Sequence, residues 1–176
     1  MKKTFLAALA TGLFLVGMGG VANAALYVYD NGAYVDVGGY DDFLAQATKA
    51  QVGGNAGDAE ELNWMNTTLL GMGLISQAYE TDDYLKIPLA SGTLTFPVYS
   101  ETTTPTLTVA LDSAFKLNGQ PDYFLVKTGN NDTTPDYRWF LFDNKINLDY
   151  AVFLLQDPTE GYSIKNIAAL SHGAQA

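Results

Sequence analysis

Tyr123-Phe124-Leu125-Val126-Lys127, Tyr137-Arg138-Trp139-Phe140-Leu141-Phe142 and Tyr150-Ala151-Val152-Phe153-Leu154-Leu155 are three short apolar runs, dense in aromatic and β-branched residues. Runs of this length and content, bounded by turn residues, read as strands. Asn130-Asn131 separates the first from the second, and Asp143-Asn144 the second from the third. Within them Phe124/Val126, Phe140/Phe142 and Val152/Leu154 occupy alternate positions, which predicts the inward set of a half-buried sheet.

The same pattern extends outward in both directions. Tyr162 to Leu170 reads as a further strand, and so do Leu85-Lys86-Ile87-Pro88-Leu89, Thr93 to Tyr99 and Thr106 to Leu111, with turns at Ser91-Gly92 and Asn118-Gly119. Pro88 and Pro97 push their segments toward sheet edges, because proline has no amide hydrogen to give a ladder. Thr102-Thr103-Thr104-Pro105 is a polar spacer too short to divide domains. Near the start, Leu26 to Asp30 and Ala33 to Val37 flank Asn31-Gly32, the strongest short-range hairpin signal. Many short strands with such spacers predict a mainly β fold, an antiparallel β-sandwich with one or two short helices in the N-terminal third.

The first of those helices is expected after Asp41 as cap, over Phe43, Leu44, Ala47 and Ala50, which are apolar at i, i+1, i+4 and i+7. The second follows the Gly-rich loop from Gln51 to Gly57. Asn55 or Asp58 can cap it, Glu60 and Glu61 suit the positive end of its dipole, and Leu62, Met65 and Leu69 form its stripe with Trp64 beside it. Gly71 and Gly73 sit near its end, and Leu74 to Tyr79 is a candidate third helical stretch.

At the N-terminus Lys2-Lys3 precedes the uncharged run Thr4 to Val21, and Ala22-Asn23-Ala24 supplies the small residues that a signal peptidase requires. This predicts a cleaved secretion signal over residues 1–24 and a single β-rich domain over residues 25–176, exported to the periplasm or beyond and left without a stable membrane anchor. Loss of Lys2 and Lys3 with the leader takes the formal net charge from −10 to −12. That field disfavours nucleic acid and anionic lipid surfaces as partners. The chain has no cysteine, which removes disulfides, thiolate metal sites and cysteine nucleophiles together.

Candidate chemistry is sparse. His172, the only histidine, adjoins Ser171, but neighbouring strand residues point to opposite faces, so a nucleophile–base pair is not expected and a surface or edge position is. Asp112, Asp122, Asp136, Asp143 and Asp149 fall at strand ends or turns, where Asp serves local hydrogen bonding. Calcium is the one cofactor with a candidate site, since it takes clustered oxygens. Asn130, Asn131, Asp132 and Asp136 offer four side-chain donors, and Glu80, Asp82 and Asp83 offer three, although neither follows the EF-hand spacing. Tyr27, Tyr29 and Tyr34 share the first hairpin, where exposed rings would form a sugar-binding platform as readily as cross-strand pairs. Asn66-Thr67-Thr68 and Asn131-Asp132-Thr133 match the short glycosylation pattern.

Two stretches carry a likeness beyond composition. Gly57-Asp58-Ala59-Glu60-Glu61-Leu62-Asn63-Trp64-Met65-Asn66 holds acids followed by Leu-x-Trp-x-Asn. Pro121 to Gly129, Trp139 to Asn144, Ala151 to Phe153 and Ile167 to His172 follow in strand order. Together they resemble small exported bacterial proteins of the exosortase-substrate (PEP-CTERM) type. The resemblance implies an association with extracellular polymer and biofilm surfaces and supplies no catalytic residues. The chain departs from that type at Gly173-Ala174-Gln175-Ala176, where no Pro-Glu-Pro stands, so a released member is expected. The functional expectation is a secreted, non-enzymatic β-sandwich associated with extracellular polysaccharide or other matrix components. The alternatives are a carboxylate-based glycan hydrolase, or a self-assembling structural or adhesive subunit.

Overall fold

The structure is a computed structural model that describes residues 25–54, 57–88, 98–99, 112–117, 120–129, 134–145, 149–165 and 167–173. The predicted strand over Thr106 to Leu111, the spacer at Thr102 to Pro105 and most of Thr93 to Tyr99 lie outside them, as does the expected leader over residues 1–24.

The chain opens with the expected hairpin, β1 (Leu26–Asp30) and β2 (Ala33–Gly38). Asn31 and Gly32 take φ of 50° and 85°, the pair of left-handed conformations that matches the twist of two joined strands. β3 (Asp42–Thr48) and α1 (Lys49–Val52) follow, then the longer α2 (Asp58–Met72). After α2 come β4 (Tyr84–Pro88), β5 (Val98–Tyr99), β6 (Asp112–Lys116), β7 (Tyr123–Thr128) and β8 (Tyr137–Asp143). β9 (Tyr150–Leu154), β10 (Gln156–Asp157), β11 (Tyr162–Ser163) and β12 (Ile167–Gly173) complete the order. The fold is mainly β and its sheets are antiparallel.

A five-stranded sheet, ordered β3-β8-β7-β12-β4, is the centre of the molecule. One face carries α2: Leu62, Met65 and Leu69 pack on Tyr123, Leu125, Trp139 and Leu141. The other face carries β9 and β6, whose Phe153 and Phe115 meet Phe124, Val126, Phe140 and Phe142. The rings of Phe124 and Phe142 stack at 5.1 Å, and Phe153 lies 5.1 Å from Phe142. The reverse side of β6 and β9, through Ala114, Tyr150 and Val152, covers Leu26, Val28 and Val37 of the first hairpin. The layers therefore run helix, five strands, two strands, hairpin.

This corrects the expectation of a half-buried sheet. β7 and β8 are buried on both faces, which is why their sequences read as continuous apolar runs rather than as clean alternation. Val152 also faces away from the Phe124/Phe140 set, because Ala151 and Phe153 hold that side of β9.

The helix expected over Phe43 to Ala50 is instead strand β3, with helix only at Lys49–Val52. The register of β3 on β8 shifts between Phe43 and Ala45 and again between Ala47 and Thr48. A bulge sets two residues against one, so the apolar spacing slips from period two and imitates a helical stripe. Asp41 caps no helix; its carboxylate accepts backbone N–H groups from Val152 and Lys145 across the fold.

Leu74 to Tyr79 is likewise not helical. Gly73, at φ 72°, ends α2, and Leu74 N–H returns to Leu69 O. The buried Asn66 amide then bonds both Tyr79 N–H and Tyr79 C=O at 2.9 Å, which pins the chain as it leaves the helix. Pro88 lies on the edge strand β4, as expected. β12 is an interior strand between β7 and β4, so His172 is not on an edge strand; its backbone pairs with Phe124 and Leu85. Tyr162 to Leu170 is two elements, β11 and β12, and β6 was not anticipated because Asp112, Ser113 and Lys116 are poor strand formers on their own.

Candidate functional site

The β10–β11 hairpin lies across the start of the five-stranded sheet and has a cleft on either side. Its turn is built locally. Asp157 accepts N–H from Thr159 at 2.7 Å and Glu160 at 3.2 Å, and Gly161 takes φ 74°, where a side chain would be strained. Tyr162 then drops beneath the hairpin, its ring 4.5 Å from Phe43 and edge-on to Phe142 at 5.8 Å.

On one side of the hairpin a cleft of about 280 Å³ is lined by Gln46, Pro135, Tyr137, Gln156 and Ser163. On the other side a cleft of about 250 Å³ is lined by Tyr40, Asp41, Asp42, Phe43 and Glu160. Asp157 and Tyr162 belong to both walls. Aromatic rings with planar amide and carboxylate groups can cover the apolar face of a sugar ring and bond its hydroxyls.

The carboxylates of the smaller cleft differ in their surroundings. Burial pushes the Asp41 carboxyl up to about 7, against the pull of its bonds to Val152 N–H at 2.5 Å and Lys145 N–H at 3.1 Å. Asp42 bonds the Lys145 ammonium, which that contact raises above its ordinary value. Burial also raises Asp143, with the Lys145 charge offsetting part of it. The Tyr162 phenol is pushed up by burial and by Asp157 and Glu160, so its hydroxyl stays a donor.

A second polar concentration lies under α2. Glu61 has no solvent exposure and accepts four bonds: Lys127 Nζ at 2.5 Å and Trp139 Nε1 at 3.2 Å on one oxygen, Lys86 Nζ at 3.0 Å and the Tyr84 hydroxyl at 3.1 Å on the other. Lys86 also bonds Asp58 at 2.6 Å, and Lys127 stands 5.5 Å over the Trp139 ring. Burial pulls the Lys86 ammonium down, but Asp58 and Glu61 outweigh it and hold it above its ordinary value. With Glu61 sealed between helix and sheet and its four bonds supplied by the chain, this network ties α2 to the strands beneath it.

Of the proposed calcium donors, Asn130, Asn131 and Asp132 lie outside the described residues. Asp136 is bonded to Arg138, at 2.7 Å to Nε and 2.5 Å to Nη2. In the second acidic stretch Asp83 accepts the Glu80 N–H at 2.9 Å, capping a short 3-10 turn at Thr81–Asp83. Among the described residues no three His, Asp or Glu side chains converge as a metal site. Tyr29 and Tyr34 are exposed and paired across the first hairpin, but their rings tilt 59° at 5.0 Å and make no flat platform.

The cleft residues were not singled out in the sequence. The one local signal is Asp157-Pro158-Thr159-Glu160-Gly161, a turn pattern between the strands expected to end at Leu155 and to begin at Tyr162. Glu61 was legible in principle, since it stands four residues before Met65 and eight before Leu69 on the apolar stripe. No family model, no curated protein and no solved structure matches this chain.

Proposed function

We propose that this chain is an exported, non-enzymatic β-protein that binds extracellular polysaccharide through the paired clefts beside β10–β11. The observation that carries the reading is the lining of those clefts: Tyr137 lines the larger and Tyr40 the smaller, with Gln46, Gln156 and Asp157 supplying planar hydrogen-bonding groups. The leader over residues 1–24 and the resemblance to exosortase substrates support export and a matrix setting. Affinity electrophoresis through gels containing neutral, anionic or amine-bearing polysaccharides tests it. Retardation is expected in at least one gel without added calcium, and Gln156→Ala, on an exposed wall position, should reduce it. Free migration in every gel, with and without calcium, would overturn the reading.

One observation favours a glycan hydrolase instead: Asp41, in the wall of the smaller cleft, has a carboxyl raised toward neutrality, as a general acid requires. Both its oxygens already accept backbone N–H groups, however, and Asp42 is held by Lys145. New reducing ends appearing in a retained polymer would favour the hydrolase over the binding protein.

A further inference from the structure

We infer that Tyr29 and Tyr34 are a site of oxidative coupling, at which a peroxidase and hydrogen peroxide join the two phenol rings by a carbon–carbon bond. The inference goes beyond polysaccharide binding and draws on export only for the place where such an oxidant is met. The two residues stand directly opposite each other on β1 and β2, with ring centroids 5.0 Å apart. Both are exposed, at 47% and 37%. Their neighbours Val28 and Val35 turn the other way, into the buried face of the hairpin. Tyr79, Tyr123, Tyr150 and Tyr162 are buried, and Tyr27 on the same strand is half-buried, so an external oxidant meets the pair before any of them.

The step balances with nothing from the chain beyond the two rings. Each phenol gives up one electron and its hydroxyl proton, and hydrogen peroxide, taking two electrons and two protons, leaves as two waters. The two phenoxyl radicals join through ring carbons next to their oxygens. Each joined carbon then passes its hydrogen to the oxygen, which restores both phenols. Exposed rings turn on the ps–ns timescale, so side-chain rotation alone presents the two ring edges to each other. Coupling between two molecules is the competing route, and a formal charge of −10 on each opposes their encounter. The rings of one hairpin are permanent neighbours and need no encounter. The chain has no cysteine with which to staple its strands, and a carbon–carbon bond is a staple that reductants do not open. It falls where it has most to hold, since β2 is the outer strand of the hairpin layer.

Treating the dilute purified protein with a peroxidase and hydrogen peroxide, then reading intact mass and dityrosine fluorescence, tests the inference. A fluorescent monomer lighter by two hydrogen atoms is expected. Cleavage before Asp30 and Asp36 should leave residues 25–29 joined to residues 30–35. Tyr29→Phe and Tyr34→Phe should each abolish the product, whereas Tyr27→Phe should keep it; all three retain a ring, so the hairpin folds in every variant. Amide exchange along Ala33–Gly38 should slow by about tenfold in the coupled protein and stay unchanged at Phe124 and Phe140. A monomer of unaltered mass, fluorescence confined to covalent dimers, or a monomeric product that survives Tyr29→Phe would each overturn the inference. Polysaccharide retention is read in a separate assay, so either reading can fail without the other.

Discussion

Asp41 does at the scale of one residue what no neighbouring carboxylate does. It is almost fully buried, accepts two backbone N–H groups from distant segments, and its own N–H bonds Val152 O at 2.7 Å. Burial dominates its titration and raises the carboxyl from 3.8 to about 7. Between those values the folded chain keeps a proton that the unfolded chain has released, so stability falls as pH rises through this window. The contribution is complete below pH 3.8 and lost above about 7, with an upper bound of about 4 kcal/mol. Urea unfolding at several pH values should therefore show a smaller fall across this range for Asp41→Asn than for the unaltered protein. The slope is the readout, since the amide also faces two N–H donors and lowers stability at every pH. A parallel pair of pH profiles would assign the loss elsewhere. Nothing at Asp41 in the sequence announces this role: an Asp before an apolar segment is the ordinary sign of a helix cap, and only the approach of Val152 and Lys145 in space replaces the cap with a clamp.

Between elements, the seam of α2 and the sheet is held by apolar packing and by one carboxylate. Glu61 faces Lys86 on β4, Lys127 on β7 and Trp139 on β8, so a single helical residue reaches three strands. A charge this deep is stabilising only while its partners remain. Glu61→Ala is expected to cost about 3 kcal/mol in denaturant unfolding, at the low end for a buried pair because Lys86 and Lys127 each keep 25% exposure. Pairing Glu61→Leu with Lys127→Met should recover stability to within about 1 kcal/mol, with Lys86 still on Asp58. An additive double variant would show that the two side chains do not act as a pair. β3 gives the converse case at this scale. Its bulges disguised a strand as a helix, whereas α2, whose Leu62, Met65 and Leu69 keep an unbroken helical period, was recognisable with its terminal glycine, although Gly57 rather than Asp58 stands at its cap.

For the molecule as a whole, the layer order sets which parts open first. β7 and β8 are covered on both faces and paired on both edges, while β2 is an outer strand of the hairpin layer. Amide exchange should be slowest at Phe124, Val126, Phe140 and Phe142 and faster along Ala33–Gly38; a hairpin outlasting the central strands would contradict the layer order. The two clefts exist only at this scale. Gln46, Tyr137 and Tyr162 are far apart in the chain and meet because the β10–β11 hairpin folds back over β3 and β8. The sequence by itself determined the mainly β class, the Asn31-Gly32 hairpin, the central strands and α2, because hydrophobic period, turn chemistry and caps act between residues close along the chain. Tertiary structure alone decided that the central sheet is buried on both faces, that β3 is a bulged strand, that Asp41 and Glu61 are buried carboxylates, and that two clefts flank the β10–β11 hairpin. Burial, desolvation and enclosure depend on which distant segments meet, and that information is not carried by any local run of residues.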